Sequence, residues 1–282
     1  MKFGKWAFTS IAWRTAALLL VTSLLSSLLF RCHDKDPVPA PCKPHALLYT
    51  TDSIVYSYTQ GRVTKVLYYA SGDQTREDNI EYNAAGLPET IGKFVIAIDG
   101  DRSVEAYHRL TYDDNGLPAV LSTDSYSTHY ETTFTHDDDG KLMEAATTYG
   151  AAKRFVGKTR YEYDDNGNVP RVYYTLNVNG ILKEVLAREN LAFDDKEKFY
   201  SEANDLTIMN VYVYGYLPDK NNCLGSTVHY FSYYEHPVSP FSINFAATYN
   251  ADGLIQSLQS DAPNTTLYSG DVLFKNVVYD CR

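Results

Sequence analysis

From about residue 46 onward the chain is written in short alternations. Tyr56-Ser-Tyr58, Leu110-Thr-Tyr112, Phe134-Thr-His136, Tyr161-Glu-Tyr163, Leu191-Ala-Phe193, Tyr212-Val-Tyr214-Gly-Tyr216 and Val277-Val-Tyr279 set large apolar residues two apart. A period of two gathers them on one face of an extended strand, and aromatic and β-branched residues favour that pleated surface. Val63-Thr-Lys-Val66-Leu-Tyr68 and Val169-Pro-Arg-Val172-Tyr-Tyr174 read as the strands that leave the turns. Gly180 to Asn190 has some helical potential, and it too is read as strand and loop.

Many alternations end in one phrase. It is Tyr82-Asn-Ala-Ala-Gly86, then Tyr112-Asp-Asp-Asn-Gly116, His136-Asp-Asp-Asp-Gly140, Tyr163-Asp-Asp-Asn-Gly167 and Tyr249-Asn-Ala-Asp-Gly253, with Tyr58-Thr-Gln-Gly61 as a shortened copy. Phe193-Asp-Asp-Lys-Glu197 is a weaker copy, and Gly225 falls in phase without an aromatic. The phase positions recur at intervals of roughly 24–30 residues, which is a repeat signature. An Asp or Asn at the first turn position accepts from a backbone N–H two residues on, and Gly at the fourth supplies a positive φ. This is a type I turn followed by a left-handed residue in a bulge, a common hairpin connection. Each interval holds two strands, so the chain predicts an all-β antiparallel meander of repeated hairpins with roughly 16 strands. Open sheets rarely exceed about ten strands without curling, so a rolled, barrel-like or clam-like shape with a hairpin or loop plugging the middle is expected. An elongated single sheet is the alternative. Gly61, Gly86, Gly116, Gly140, Gly167 and Gly253 are then structural turn residues.

The N-terminal end differs. Lys2, Lys5 and Arg14 precede an uncharged run from Thr15 to Phe30. That run falls short of the roughly 20 apolar residues of a spanning helix, and its basic start suits a secretion signal. Residues 1–31 are read as a signal peptide, 32–45 as a lipidated Cys32 and a Pro-rich linker, and 46–282 as the repeat domain. Four prolines between Pro37 and Pro44 make that linker a stiff spacer. Residues 1–31 hold four of the 25 cations and none of the 35 acids, leaving the rest at a net charge of −14. A protein that neutralises phosphates should lean the other way, so no nucleic-acid partner is expected.

Cys32 at the end of the apolar run resembles the lipidated cysteine of bacterial lipoproteins, and His33-Asp34-Lys35-Asp36 resembles the export signal of Bacteroidota surface lipoproteins. Phe30 and Arg31 depart from the small residues expected there. The turn phrase resembles the Tyr-Asp repeat of Rhs proteins, and resembles more closely the tyrosine-rich repeat lipoproteins of Bacteroidota. The resemblance spans about residues 42 to 282 and implies an exported, lipid-anchored protein of the outer membrane or cell surface. It is nearly silent on activity.

With Cys32 lipidated, Cys42, Cys223 and Cys281 remain, and an exported protein keeps disulfides. A Cys42–Cys281 bond would close nearly the whole chain, worth about 4–5 kcal/mol, and it would require the two ends of the sheet to meet. The alternative leaves Cys281 unpaired.

Several groups invite chemistry. The 25 tyrosines suggest either cross-strand pairing or an exposed ladder for a glycan or protein. Tyr212, Tyr214, Tyr216, Tyr230, Tyr233 and Tyr234 are the best such surface. Asp113-Asp114 and Asp137-Asp138-Asp139 lack the spacing of an EF-hand and read as turn caps. His129 with His136, and His229 with His236, lack zinc-site spacing, so neither metal nor cofactor is expected. Asn221-Asn222-Cys223-Leu224-Gly225 reads as a further turn. No nucleophile-elbow or phosphate-loop phrase occurs, and a binding or scaffolding module is expected rather than an enzyme. A carrier of an apolar ligand inside the rolled sheet is the alternative, and a hydrolase a more distant one.

Overall fold

The alternations and turn phrases become strands and reversals in a computed structural model that describes residues 42–178, 180–198, 204–229, 240–260 and 274–280. The strands are β1 Lys43–Leu48, β2 Asp52–Thr59, β3 Arg62–Ala70, β4 Asp73–Tyr82, β5 Pro88–Ile96, β6 Arg102–Tyr112, β7 Pro118–Ser125 and β8 Thr128–His136. They continue as β9 Leu142–Tyr149, β10 Arg154–Glu162, β11 Arg171–Val178, β12 Ile181–Glu197, β13 Asn221–Val228, β14 Phe241–Tyr249, β15 Ile255–Ser260 and β16 Asn276–Asp280. Each pairs antiparallel with the next through β15, and β16 returns to pair with β1, Lys43 opposite Asp280. A bridge between Leu258 and Phe274 joins β15 to the residues just before β16. The sheet is therefore a nearly closed 16-stranded barrel with one unsealed seam, as the rolled meander predicts. Residues 1–31, read above as a signal peptide, Cys32 and most of the expected linker lie outside the described residues.

The turn phrases fall on one rim. The glycines at 61, 86, 116, 140, 167 and 253 all have φ between +79° and +84°. Asp113 Oδ1 accepts from the N–H groups of Asn115 and Leu117, Asp137 Oδ1 from Asp139 and Lys141, and Asp164 Oδ1 from Asn166 and Asn168. The register shifts at Tyr58, Tyr82, Tyr112, His136 and Tyr249, and the extra residue sits opposite, on the strand that leaves the turn: Thr64, Glu89, Ala119, Met143 and Gln256. The two weak copies do not turn. Glu197 ends the long strand β12, and Gly225 lies inside β13 opposite Asn244, so Asn221 to Gly225 is strand rather than turn. The first keeps its Asx residue, Asp194 Oδ1 accepting from the Lys196 N–H at 3.0 Å, but has Glu197 where the left-handed glycine stands elsewhere; the second has Asn222 and Gly225 in phase, yet Gly225 is not among the glycines with positive φ.

The phrase tyrosine has a second task. Tyr82 Oη donates to the carbonyl of Val63 at 2.6 Å, and Tyr163 Oη to that of Leu142 at 2.9 Å. Tyr279 Oη donates to Ile255 at 2.8 Å, and Tyr112 Oη to Pro88. Each acceptor lies two residues after the turn glycine of the preceding copy. Tyr58, with no turn copy before it, donates to the Pro44 carbonyl on β1 at 2.6 Å. At the Phe193 copy, which lacks a hydroxyl, the carbonyl of Val169 is instead served by Asn190 Nδ2 at 2.7 Å. These rungs seat each ring in the lumen, where it packs against the core formed by Val63, Val66, Ile91, Leu110 and Val172.

The outer wall carries the opposite chemistry. Cross-strand ion pairs run around it: Lys65–Glu77 at 3.3 Å, Arg102–Glu77 at 3.0 Å, Lys153–Glu131 and Lys158–Glu144 at 2.7 Å, Arg160–Glu184 at 2.8 Å and Arg171–Glu162 at 3.0 Å. A barrel wall set in lipid needs an outward apolar band, and each Lys or Arg at the bilayer midplane costs about 2–4 kcal/mol there. The described wall carries these charged pairs where such a band would need apolar residues.

Two expectations follow. Tyr58→Phe removes one rung and should lower stability by about 1 kcal/mol; Tyr107→Phe, on the outer face, should leave it unchanged in chemical denaturation. Gly116→Ala, forced to a left-handed φ, should cost about 1–2 kcal/mol in the same assay.

Candidate functional site

A barrel of this strand number is too wide for its wall side chains to fill, and 16-stranded porins leave an aqueous channel. Here the connection between β12 and β13 folds into the lumen at the acidic rim. Its first element is α1, Asn204–Ile208, followed by a π-helical turn at Met209–Val213. Leu206, Ile208, Met209, Val211 and Leu217 from this plug are buried.

Polar contacts latch the plug to the wall. Asp205 Oδ2 accepts from the Val63 N–H at 2.8 Å and from Tyr82 Oη at 3.0 Å. Asp78, fully buried, accepts at Oδ2 from Tyr214 Oη at 2.8 Å and Tyr68 Oη at 3.0 Å. Burial raises the Asp78 pKa, and the Lys93 and Arg76 cations oppose that shift. Asp219 Oδ1 accepts from the Val169 N–H at 2.8 Å, while its Oδ2 accepts from Lys198 Nζ at 3.2 Å. The side chains of that last pair are 6% and 0% exposed.

Tyr212 meets the third repeat turn. Its ring stands edge-on to Phe134, with centroids 4.9 Å apart. Its hydroxyl lies 2.9 Å from His136 Nε2. Burial, with Asp113 adding to it, pushes the Tyr212 hydroxyl up to about 12. Burial also lowers the His136 pKa, against the pull of Asp113 and Asp137.

Between this plug and the rim lies a pocket of about 360 Å³. Tyr163, Tyr212, Leu142 and Val211 form its apolar walls. Lys141, Lys220, Asn204 and Thr207 bring polar groups to it. The hydroxyls of both tyrosines are held by other partners, so their rings rather than their oxygens are presented. Lys141 Nζ lies over the Tyr163 ring, 5.6 Å from its centroid. Aromatic walls with a few convergent donors are the usual build of a small-ligand site. A second hollow of about 290 Å³ lies at the foot of the seam, beside Cys42, Lys196 and Tyr279.

The residues singled out in the sequence are distributed unevenly. Tyr212, Tyr214 and Tyr216 are not an exposed ladder: they ride on the plug, half-buried against the core, because burying them fills a lumen that the wall cannot. Tyr230, Tyr233 and Tyr234 lie outside the described residues, as do Cys32 and Cys281. Cys42 is disulfide-bonded. Cys223 is buried in β13, its Sγ donating to the Gly225 carbonyl at 3.3 Å. His129 lies on the outer wall 2.7 Å from Asp124 Oδ1, and His136 faces the lumen, so that pair does not converge. Among the described residues no three His, Cys, Asp or Glu side chains gather to hold a metal. Sequence reasoning missed Lys141, Tyr163, Asn204, Thr207 and Lys220. The only signal for Asn204, Thr207 and Lys220 was the long gap in strong turn phrases between Gly167 and Gly253; Lys141 and Tyr163 sit on ordinary turn phrases and carried none.

Neither a protein-family profile nor a curated protein matches the chain. Among solved structures it is similar to a porin-like protein of Bacteroides uniformis, with a TM-score of 0.47 and 12% identity over 86% of this chain and 94% of that one. It is also similar to a porin-like protein of Bacteroides vulgatus, with a TM-score of 0.46 and 11% identity over 84% of this chain and 96% of that one. A Photorhabdus luminescens Tc holotoxin pore structure matches 80% of this chain with 9% of its own, at a TM-score of 0.34 and 14% identity.

Because Lys198 and Asp219 are buried together, removing the cation leaves the buried Asp219 carboxylate without its charge partner, although its bond from the Val169 N–H remains. Lys198→Met should destabilise the fold by about 3–5 kcal/mol, read by chemical denaturation. Lys65→Met on the outer wall should change it by less than about 1 kcal/mol.

Proposed function

We propose that this protein is an exported, lipid-anchored binding module of the cell surface, and that its ligand is a saccharide. The observation that carries the reading is the pocket between plug and rim. A sugar ring has C–H faces that pack on aromatic walls and hydroxyls that both donate and accept. Tyr163 and Tyr212 offer the former contact, and Lys141, Lys220 and Asn204 the latter. The charged outer wall supports a domain held at a membrane by an anchor at Cys32 rather than one embedded in it. Binding, without chemical conversion, is the proposed activity. The apolar-carrier reading finds less support, since plug side chains occupy the lumen at the acidic rim.

A printed array of neutral and acidic oligosaccharides, probed with the purified chain, tests the ligand. A selective signal that Tyr163→Ala weakens tenfold or more is expected, and a silent array would end the saccharide reading. Radiolabelled fatty acid should enter the wild-type protein and not Cys32→Ala; label persisting in that variant would refute the anchor. Cys42 and Cys281 are the sequence neighbours of Lys43 and Asp280, which pair across β1 and β16. Non-reducing peptide mapping should therefore recover a Cys42–Cys281 link.

A further inference from the structure

The rungs of the barrel are regular enough that their exception is informative. Tyr82, Tyr112 and Tyr163, each before a turn, and Tyr279 at the end of β16 send their hydroxyls to the carbonyl two residues past the preceding turn glycine; Tyr249, whose preceding phase position lies inside a strand, meets Asp194 Oδ2 instead. The copy at 136 has an otherwise intact phrase, with three aspartates and Gly140 at φ +82°. Its ring, however, is a histidine. The corresponding acceptor would be the Pro118 carbonyl, and the His136 ring instead meets Tyr212 of the plug. A local rule broken inside an otherwise consistent repeat marks a position set by something other than the fold.

We propose that His136 is a positioning residue for the saccharide pocket: it gives up the rung to hold Tyr212 in place as the pocket wall. The inference rests on the pocket reading above. Tyr212 is fixed from two sides, by the edge of Phe134 and by Nε2 of His136. The imidazole ring is also shorter than a phenol, so it leaves Tyr212 room beside it, with ring centroids 5.8 Å apart. A tyrosine at 136 would turn its hydroxyl to Pro118, as its counterparts turn theirs, and would leave the Tyr212 hydroxyl without its imidazole partner.

The repeat supplies the decisive substitution. His136→Tyr restores the phrase of the other copies, and should melt at or above the wild-type temperature. Its signal on the same oligosaccharide array should nevertheless fall at least tenfold. His136→Gln places an amide near the position of Nε2 and should stay within about threefold of wild type. Equal binding by His136→Tyr and wild type would overturn the inference and leave the pocket reading standing. A marked fall in the melting temperature of His136→Tyr would also overturn it, since His136 would then serve the fold. A silent wild-type chain would remove the saccharide reading and this inference with it.

Discussion

The hydrogen bond from a phrase tyrosine to the carbonyl behind the preceding turn is the interaction on which the barrel rests. It ties each hairpin to the one before it at the rim, where backbone carbonyls leave the ladder and need a partner. The same contact fixes the direction of the ring. The phenol simply continues its own strand's alternation into the lumen, and the bulge opposite it, on the strand leaving the turn, takes up the extra residue. Turn, bulge and rung are thus one device, used around one rim, and its repetition lets a meander of this length curl without losing register.

Rolling so many strands creates a second constraint. The wall encloses more space than its own inward residues fill, and the chain meets this by sending one connection back inside. That segment has to be apolar enough to serve as core and polar enough to find its place. It buries Leu206, Met209 and Val211, and it is aimed by Asp205, Tyr214 and Asp219. Asp78 and Asp219 are buried with their donors, and Asp205 partly so; a hydrogen-bonded partner is the condition under which a polar group is tolerable in a core. The outside needs none of this, and its paired charges cost little in water.

The pocket falls where the repeat and the plug meet. A regular rim offers the same chemistry at every turn, and the plug breaks that equivalence by bringing Tyr212, Asn204 and Lys220 against two turns only. His136 sits at the same place as a change within the repeat itself.

What the sequence determined by itself were the local events. An Asx residue and a left-handed glycine reverse the backbone through bonds spanning four residues, and alternation assigns each strand its faces; both are short-range, so both were legible, down to the strand number. The plug was not. Residues 204–213 carry no turn phrase and no periodicity long enough to declare a helix, and their short helical turns hold because the lumen packs around them. The same holds for Tyr212, Tyr214 and Tyr216, whose alternation marks them as apolar-facing without saying whether that face is wall, surface or core. Only closure of the barrel decided this, because the space to be filled exists only once the two ends of the sheet approach each other.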